Sequence, residues 1–327
     1  MAAVAIGALL FILTLYYVDV DATIDSARRL GFALPFILIP GTCWHLLRTW
    51  GWAVAFPDES RPAFTRLFRV RLAADAIGFF TVRGLAGEPL KVVLLYDRVT
   101  PEVTTAAVAL ERLAFAIVNI AMAGAVSYFA VRRLPMPGAW DAVFTVLTVL
   151  AILILGVVAL AVRHRSGDYI GRLVLLLDRW TGRRLETSRI IKFILDVEDV
   201  LLELLRGDQR RLVILLLLPV VCYLLMAFEV WLVLWAVGEP AGITAALTID
   251  TFARLGSVAS AAIPGNIGAL EAANAAPVAM LGLGGGGALA LARRIRALLW
   301  AGLGLALYPQ PRKGAAPRPQ PAGESDS

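Results

Sequence analysis

Histidine and cysteine are scarce, with two of each in 327 residues. His45 and His164 stand far apart and match no metal motif, and Cys43 and Cys222 both fall inside apolar stretches, where they read as small buried residues. Neither a zinc site nor a disulfide framework can be assembled from them, so no metal and no cofactor is expected. A P-loop, an H-E-x-x-H and a paired nucleophile and base are also missing. Gly282-x-Gly284-x-x-Gly287 has the dinucleotide spacing, but no strand precedes it and no acid follows at the right distance, so it reads as a loop or a close helix contact. Charge is sparse as well: 17% of residues are charged, against about 25% in soluble domains.

What fills the space is apolar. Hydrophobic residues make up 59% of the chain and gather in runs with almost no charge: Met1–Val18, Val103–Val131, Ala142–Val162 and Leu212–Val237. A bilayer core about 30 Å thick is crossed by roughly 20 apolar helical residues. Barrel strands are shorter and alternate, so these runs exclude a barrel. The fold class is all-α, a polytopic helical membrane protein. Met1–Val18 has no basic residue before it, and Tyr16, Tyr17 and Asp19 close it, so it reads as a retained span rather than a cleaved signal.

Spans are expected near Val4–Val18, Leu30–Trp50 (kinked at Pro35 and Pro40), Val103–Val131, Ala142–Val162, Leu212–Val237 and Ala288–Tyr308. Ile243–Ile263 is only moderately apolar. Arg61–Arg71 reads as a basic amphipathic stretch, and residues 163–211 as cytoplasmic amphipathic helices carrying Arg163-His164-Arg165. Residues 309–327 read as a disordered tail after a membrane domain at 1–308. The net charge of +6 lies at span ends, which points to orientation and anionic headgroups, not to nucleic acid. With the basic segments inside, the N-terminus is cytoplasmic and Asp19–Asp25 faces outward. Arg132-Arg133 then falls outside, against that rule.

Two segments depart from ordinary spans. Arg83-Gly84-Leu85-Ala86-Gly87-Glu88-Pro89-Leu90-Lys91 and Pro264-Gly265-Asn266-Ile267-Gly268-Ala269-Leu270-Glu271 are both glycine-rich turns that run into an acid and an apolar helix. Paired interrupted segments in the two halves of a transporter point to its binding site and suggest an inverted repeat of re-entrant or broken helices. Charges also sit inside spans: Glu111 and Arg112, with Asn119 on the same face as Arg112; Asp250 and Arg254; Glu229; Arg293 and Arg296. At a helix centre each charge costs at least about 2.5 kcal/mol, so these groups should face the bundle interior and pair. Expected partners are Glu88, Glu111, Glu229 and Glu271 for Arg112, Arg254, Arg293 and Arg296.

Gly87-Glu88-Pro89-Leu90-Lys91, then Glu111-Arg112, then Pro264-Gly265-Asn266-Ile267-Gly268 and Glu271 together resemble the lysylphosphatidylglycerol synthase transmembrane family, also called the flippase-like domain or UPF0104. The resemblance runs in order over about residues 1 to 308. Family members usually carry Arg at the position of Lys91 and Arg where this chain has Leu270. The resemblance implies a protein of the bacterial cytoplasmic membrane that moves or binds an anionic or aminoacylated lipid, a phospholipid or an isoprenoid-linked one. It also implies the flippase half without the synthase's aminoacyl-transferase domain, and so not an enzyme. The headgroup set it implies is Glu88, Lys91, Glu111, Arg112, Asn119, Glu271, Arg293 and Arg296, with Gly87, Pro89, Pro264, Gly265 and Gly268 as structural turns. Other readings stay open. Glu88 and Glu271 could instead cap their turns, Glu111-Arg112 could hold helices together, and Arg293 and Arg296 could snorkel to an interface. The protein could also be an accessory subunit for a lipid-modifying, hopanoid or glycolipid enzyme, docking through residues 163–211, or a homo-oligomer.

Overall fold

The computed structural model describes residues 30–81, 86–134, 138–163, 209–239, 241–259 and 269–309, without the side chains of Phe32, Leu34, 157–163 and 269–271. The expected first span, the loop Asp19–Asp25, Arg83 and Gly84, the amphipathic region from 164 to 208, the turn of Pro264, Gly265 and Gly268, and the tail from 310 all lie outside the described residues. So does the side chain of Glu271.

Among the described residues every regular element is helical. The helices are α1 (Leu34–Val54), α2 (Phe64–Phe80), α3 (Gly87–Leu95), α4 (Pro101–Arg133), α5 (Gly138–Arg163), α6 (Gln209–Ala236), α7 (Ile243–Ala259), α8 (Ala269–Met280) and α9 (Gly286–Ala306). Local chemistry sets several boundaries. Pro101 opens α4, where a missing N–H costs nothing, and Arg132 and Arg133 close it in its last turn, where cations suit the helix dipole. Pro35 likewise sits in the first turn of α1 and starts that helix. Only Pro40 lies inside, which corrects the expectation of two kinking prolines. The glycine run before α9 is a turn with positive φ at Gly282 and Gly285 (69° and 77°), so its dinucleotide-like spacing reflects backbone geometry.

Among the described residues, three helices are long and apolar enough to cross a membrane: α4, α5 over Gly138–Gly156, and α6. On α5, Val143, Val146, Val149, Ile152 and Leu153 point outward. An apolar face of this length has no place in water, and lipid is the solvent that suits it. The expected spans at Leu30–Trp50 and Ala288–Tyr308 appear as α1 and α9, each 21 residues long, but neither is among those three helices. Each carries charge that the fold turns inward: Arg48 in α1, and Arg293 and Arg294 in α9. Arg61–Arg71 is corrected too. It leads into α2, a helix packed between α1, α3 and α9, and Arg71 is only 1% exposed. Its interfacial look in sequence came from four arginines in a row of turns. Arg71 instead finds its counter-charge on α4.

Two large apolar cores lie among the described residues, each drawn mainly from one half of the chain, with Leu215 of α6 joining the first and Ile37 of α1 the second. Trp52, Phe56, Leu67, Leu95 and Val108 build one from α1 to α4. Val230, Val233, Ile249, Val278 and Leu289 build the other from α6 to α9. Helices meet through small residues, as expected where lipid gives no hydrophobic drive between helices. A Cβ on Gly124 of α4 would lie 2.6 Å from the methyl of Ala151 on α5, and one on Gly256 of α7 would strike Ala273 of α8. The α2–α3 corner closes through Gly78 and Gly87, where a Cβ on Gly87 would come 2.8 Å from the Ala74 carbonyl oxygen. A Cβ on Gly304 of α9 would strike the Leu72 carbonyl on α2.

Because that last obstacle is backbone, Gly304→Ala should destabilise by about 1–3 kcal/mol, the usual cost of overpacking. Gly287→Ala, whose Cβ meets nothing within 4 Å, should not. Thermal unfolding of the two variants in detergent checks this.

Candidate functional site

Two charge networks lie inside the bundle. In the first, Glu111 on α4 is 2% exposed and gathers two guanidiniums on one oxygen. Arg48 on α1 donates to Glu111 Oε1 from Nε and Nη2 at 2.9 and 2.7 Å, and Arg71 on α2 donates from Nη2 at 2.9 Å. Arg71 also donates from Nη1 to the Arg48 carbonyl at 2.8 Å, and its Nε lies 3.8 Å from Asp75. Arg48 rests over the Phe115 ring at 4.0 Å, a cation–π contact that replaces hydration.

Beside this network stands a triad on the short helix α3. Glu88, in the first turn where the helix dipole favours an acid, accepts from Lys91 Nζ at 3.0 and 3.1 Å and pairs with Arg112 of α4. Lys91 is buried and lies 5.5 Å from the centre of the Trp52 ring, whereas the Arg112 side chain is 49% exposed. Pro89 falls in the same first turn, where no intrahelical donor is lost.

The second network joins α4, α6, α7, α8 and α9. Asp250 is 2% exposed and accepts from Arg254 Nε at 2.7 Å and from Arg293 Nη2 at 2.5 Å. Arg293 also donates to Asn274 Oδ1 at 2.9 Å and lies 3.6 Å from Glu229. Glu229, fully buried, pairs with Arg296. Arg254 lies over the Tyr223 ring at 4.3 Å and donates to Asn119 Oδ1 at 3.2 Å, which carries the network back to α4.

Of the residues expected to act together, Glu88, Lys91 and Arg112 meet, and Glu229 meets Arg293 and Arg296. Glu111 binds Arg48 and Arg71, not one of the arginines anticipated for it, and Arg254 takes Asp250. Arg296 belongs to the second network and does not join Glu88, Lys91 and Arg112 in a common set. Arg48 and Arg71 were missed as site residues. The signal was present for Arg48, the sole Asp, Glu, Lys or Arg in the apolar stretch Leu30–Trp50. Arg71 carried none, because it sits among arginines that sequence alone assigns to a surface.

A bundle with outward apolar helices and an interior laced with paired charge is a polytopic membrane protein with a charged interior. The chain belongs to the family described as the lysylphosphatidylglycerol synthase TM region, whose model matches residues 1–306. No curated protein and no solved structure matches it. Its family thus ties this membrane protein to lipid-related function.

Glu111 and the Glu88 triad differ in depth of burial, which predicts different costs. Glu111→Gln strands two buried guanidiniums and should cost about 3–5 kcal/mol. Glu88→Gln leaves the half-exposed Arg112 to solvent but takes the carboxylate from buried Lys91, and should cost about 1–3 kcal/mol. Denaturation midpoints in a fixed detergent measure both.

Proposed function

We propose that the protein moves an anionic or aminoacylated lipid headgroup across the membrane without chemically altering it. One observation carries this reading: charge descends along α4 in steps. The nineteen residues from Leu113 to Val131 contain no charge and are long enough to cross the bilayer core. Arg112 therefore stands at the level of lipid headgroups, half exposed, in a triad with Glu88 and Lys91. Asn119 is two helical turns further on, roughly 10 Å deeper at 1.5 Å per residue. There it receives Arg254, which leads through Asp250 and Arg293 to Glu229 and Arg296. A phosphate entering at Arg112 would find guanidiniums at each level, and guanidinium suits phosphate through its two-pronged donor geometry. Carboxylates at each level would receive an amine on an aminoacylated headgroup. The acyl chains stay against the apolar outer faces.

The helix lengths support two related halves. The first runs 21, 17, 9 and 33 residues over α1 to α4, and the second 28, 17, 12 and 21 over α6 to α9. In each, a long helix is followed by a 17-residue one, a short one and a long one, the pattern an inverted repeat with broken helices would leave. With the basic segments cytoplasmic, the protein sits in the bacterial cytoplasmic membrane with its N-terminus inside, and the triad opens to the inner leaflet. The cargo class is a phospholipid or an isoprenoid-linked lipid.

Reconstituted vesicles with a headgroup-labelled anionic phospholipid test the reading. Wild type should move label between leaflets well above empty vesicles. Arg112→Ala should slow this at least about tenfold, equivalent to 1.4 kcal/mol, with its unfolding midpoint little changed. Glu271→Ala should also slow it. Equal rates for wild type and empty vesicles would overturn the reading.

A further inference from the structure

The two networks approach each other along one face of α1. Gly41 is pressed against Arg296 of the second network, with a would-be Cβ 2.6 Å from that side chain's Cδ, and 3.6 Å from Trp300 Nε1. Arg48, two turns on, belongs to the first network through Glu111. His45 lies between them in sequence and in space. Its ring is 8% exposed, packs 4.2 Å from the Trp300 ring of α9 at a tilt of 38°, and meets Trp44 edge-on at 4.8 Å. Both His45 Nδ1 and Trp300 Nε1 are buried without a hydrogen-bond partner among the described residues. A buried polar atom left without a partner costs about 1–3 kcal/mol, and an unpaired histidine nitrogen asks for a reason.

The groups around His45 supply one. Arg48 on its own helix, Arg71 and Asp75 on α2, and Arg296 on α9 are all within electrostatic reach of the ring. Glu111 on α4 and Asp75 on α2 together balance Arg48 and Arg71, and Glu229 on α6 pairs with Arg296. Buried Cys222 on α6 lies in the field of Arg48 and Arg71, and Lys91 on α3 in that of Arg71 and Asp75. The imidazole is thus the one aromatic ionisable side chain touching the seam between two otherwise separate salt-bridge systems. A free imidazole takes and releases a proton near neutral pH; burial and nearby cations favour the neutral ring, and a bound anion beside it favours the charged one.

We propose that His45 carries a proton between the two networks as a headgroup passes, coupling lipid movement to the proton gradient. This rests on the transport reading above and deepens it. An anionic headgroup that engages Arg48 and Arg71, or Arg296, offsets their positive charge beside the ring. Nδ1 then takes a proton from water on the side the headgroup entered, and an imidazolium stands beside the bound anion. When the headgroup leaves, the guanidiniums return to Glu111 and Glu229, and the proton leaves to water on the far side. No bond other than N–H is made or broken, and the imposed gradient supplies the driving force. Trp300, stacked on the ring, keeps the imidazole in place and is a positioning residue.

The test uses the full chain in vesicles of phosphatidylglycerol and phosphatidylcholine, with a trapped pH-sensitive dye and a headgroup-labelled phosphatidylglycerol, under an imposed pH gradient. For wild type, proton entry should accompany label movement, and the movement rate should rise with the gradient. His45→Gln and His45→Asn should keep the gradient-free rate and lose both the gradient response and the proton entry. Trp300→Phe, which keeps the stacking and removes the N–H, should retain the response with a shifted pH profile. Label movement with no proton entry, or a gradient response that survives in both His45 variants, overturns the proton role and leaves transport standing. Proton entry that depends on His45 with no label movement overturns the transport reading and the coupling with it. Vesicles in which neither moves overturn both. If the glutamine variant fails to fold by its unfolding midpoint, the asparagine variant and the wild-type gradient response decide.

Discussion

Three helices from separate parts of the chain are held by a single carboxylate oxygen. Glu111 Oε1 takes both Arg48 and Arg71, so α1, α2 and α4 cannot separate without exposing charge inside an apolar bundle. In water such a cluster would be a modest contribution. Buried inside the bundle, each guanidinium that left the acid would be stranded away from water, and the cost is correspondingly large. The Arg71 donation to the Arg48 carbonyl adds a second tie between α1 and α2. With these three helices fixed, α3 has a floor to pack on, and Glu88 is brought against Arg112.

Around this polar interior the bundle is assembled without much hydrophobic drive between helices. Small residues therefore do the close packing: Gly124 on Ala151, Gly256 on Ala273, Gly87 on Ala74, Gly304 on Leu72. Large apolar side chains are free to turn outward, as along α5, or to fill the two cores. Close backbone contact occurs at the glycines, while long charged side chains reach between helices to their partners.

Much of the fold was legible from apolar run length. The apolar runs marked α4, α5 and α6, and broken hydropathy between Ala73 and Leu95 marked the gap between α2 and α3. Glu88, Lys91 and Arg112 were visible because a charge in an apolar run, beside glycine and proline, is costly enough to stand out. Arg71 was hidden because its neighbours Arg66 and Arg69 are of the same kind, and residue type does not tell which of several arginines turns inward. Those two take the Leu94 and Leu307 carbonyls near the bundle's edge, while Arg71 reaches Glu111. His45 was passed over because a lone histidine matches no motif, and its setting comes from α9, some 250 residues away in the chain.

The sequence by itself determined that this is a helical membrane protein of the lysylphosphatidylglycerol synthase transmembrane family with charge in its interior. Those properties depend on local composition, on the length a helix needs to cross a bilayer, and on short motifs, all of which are written along the chain. Tertiary structure alone decided which charges meet. Glu111 chose Arg48 and Arg71, Arg296 went to Glu229 instead of joining Glu88, and His45 came to rest between the two systems. Apart from the one-turn pairs Glu88–Lys91 and Asp250–Arg254, pairing of these charges is fixed by the geometry of helices brought together from distant positions, which sequence neighbours do not record.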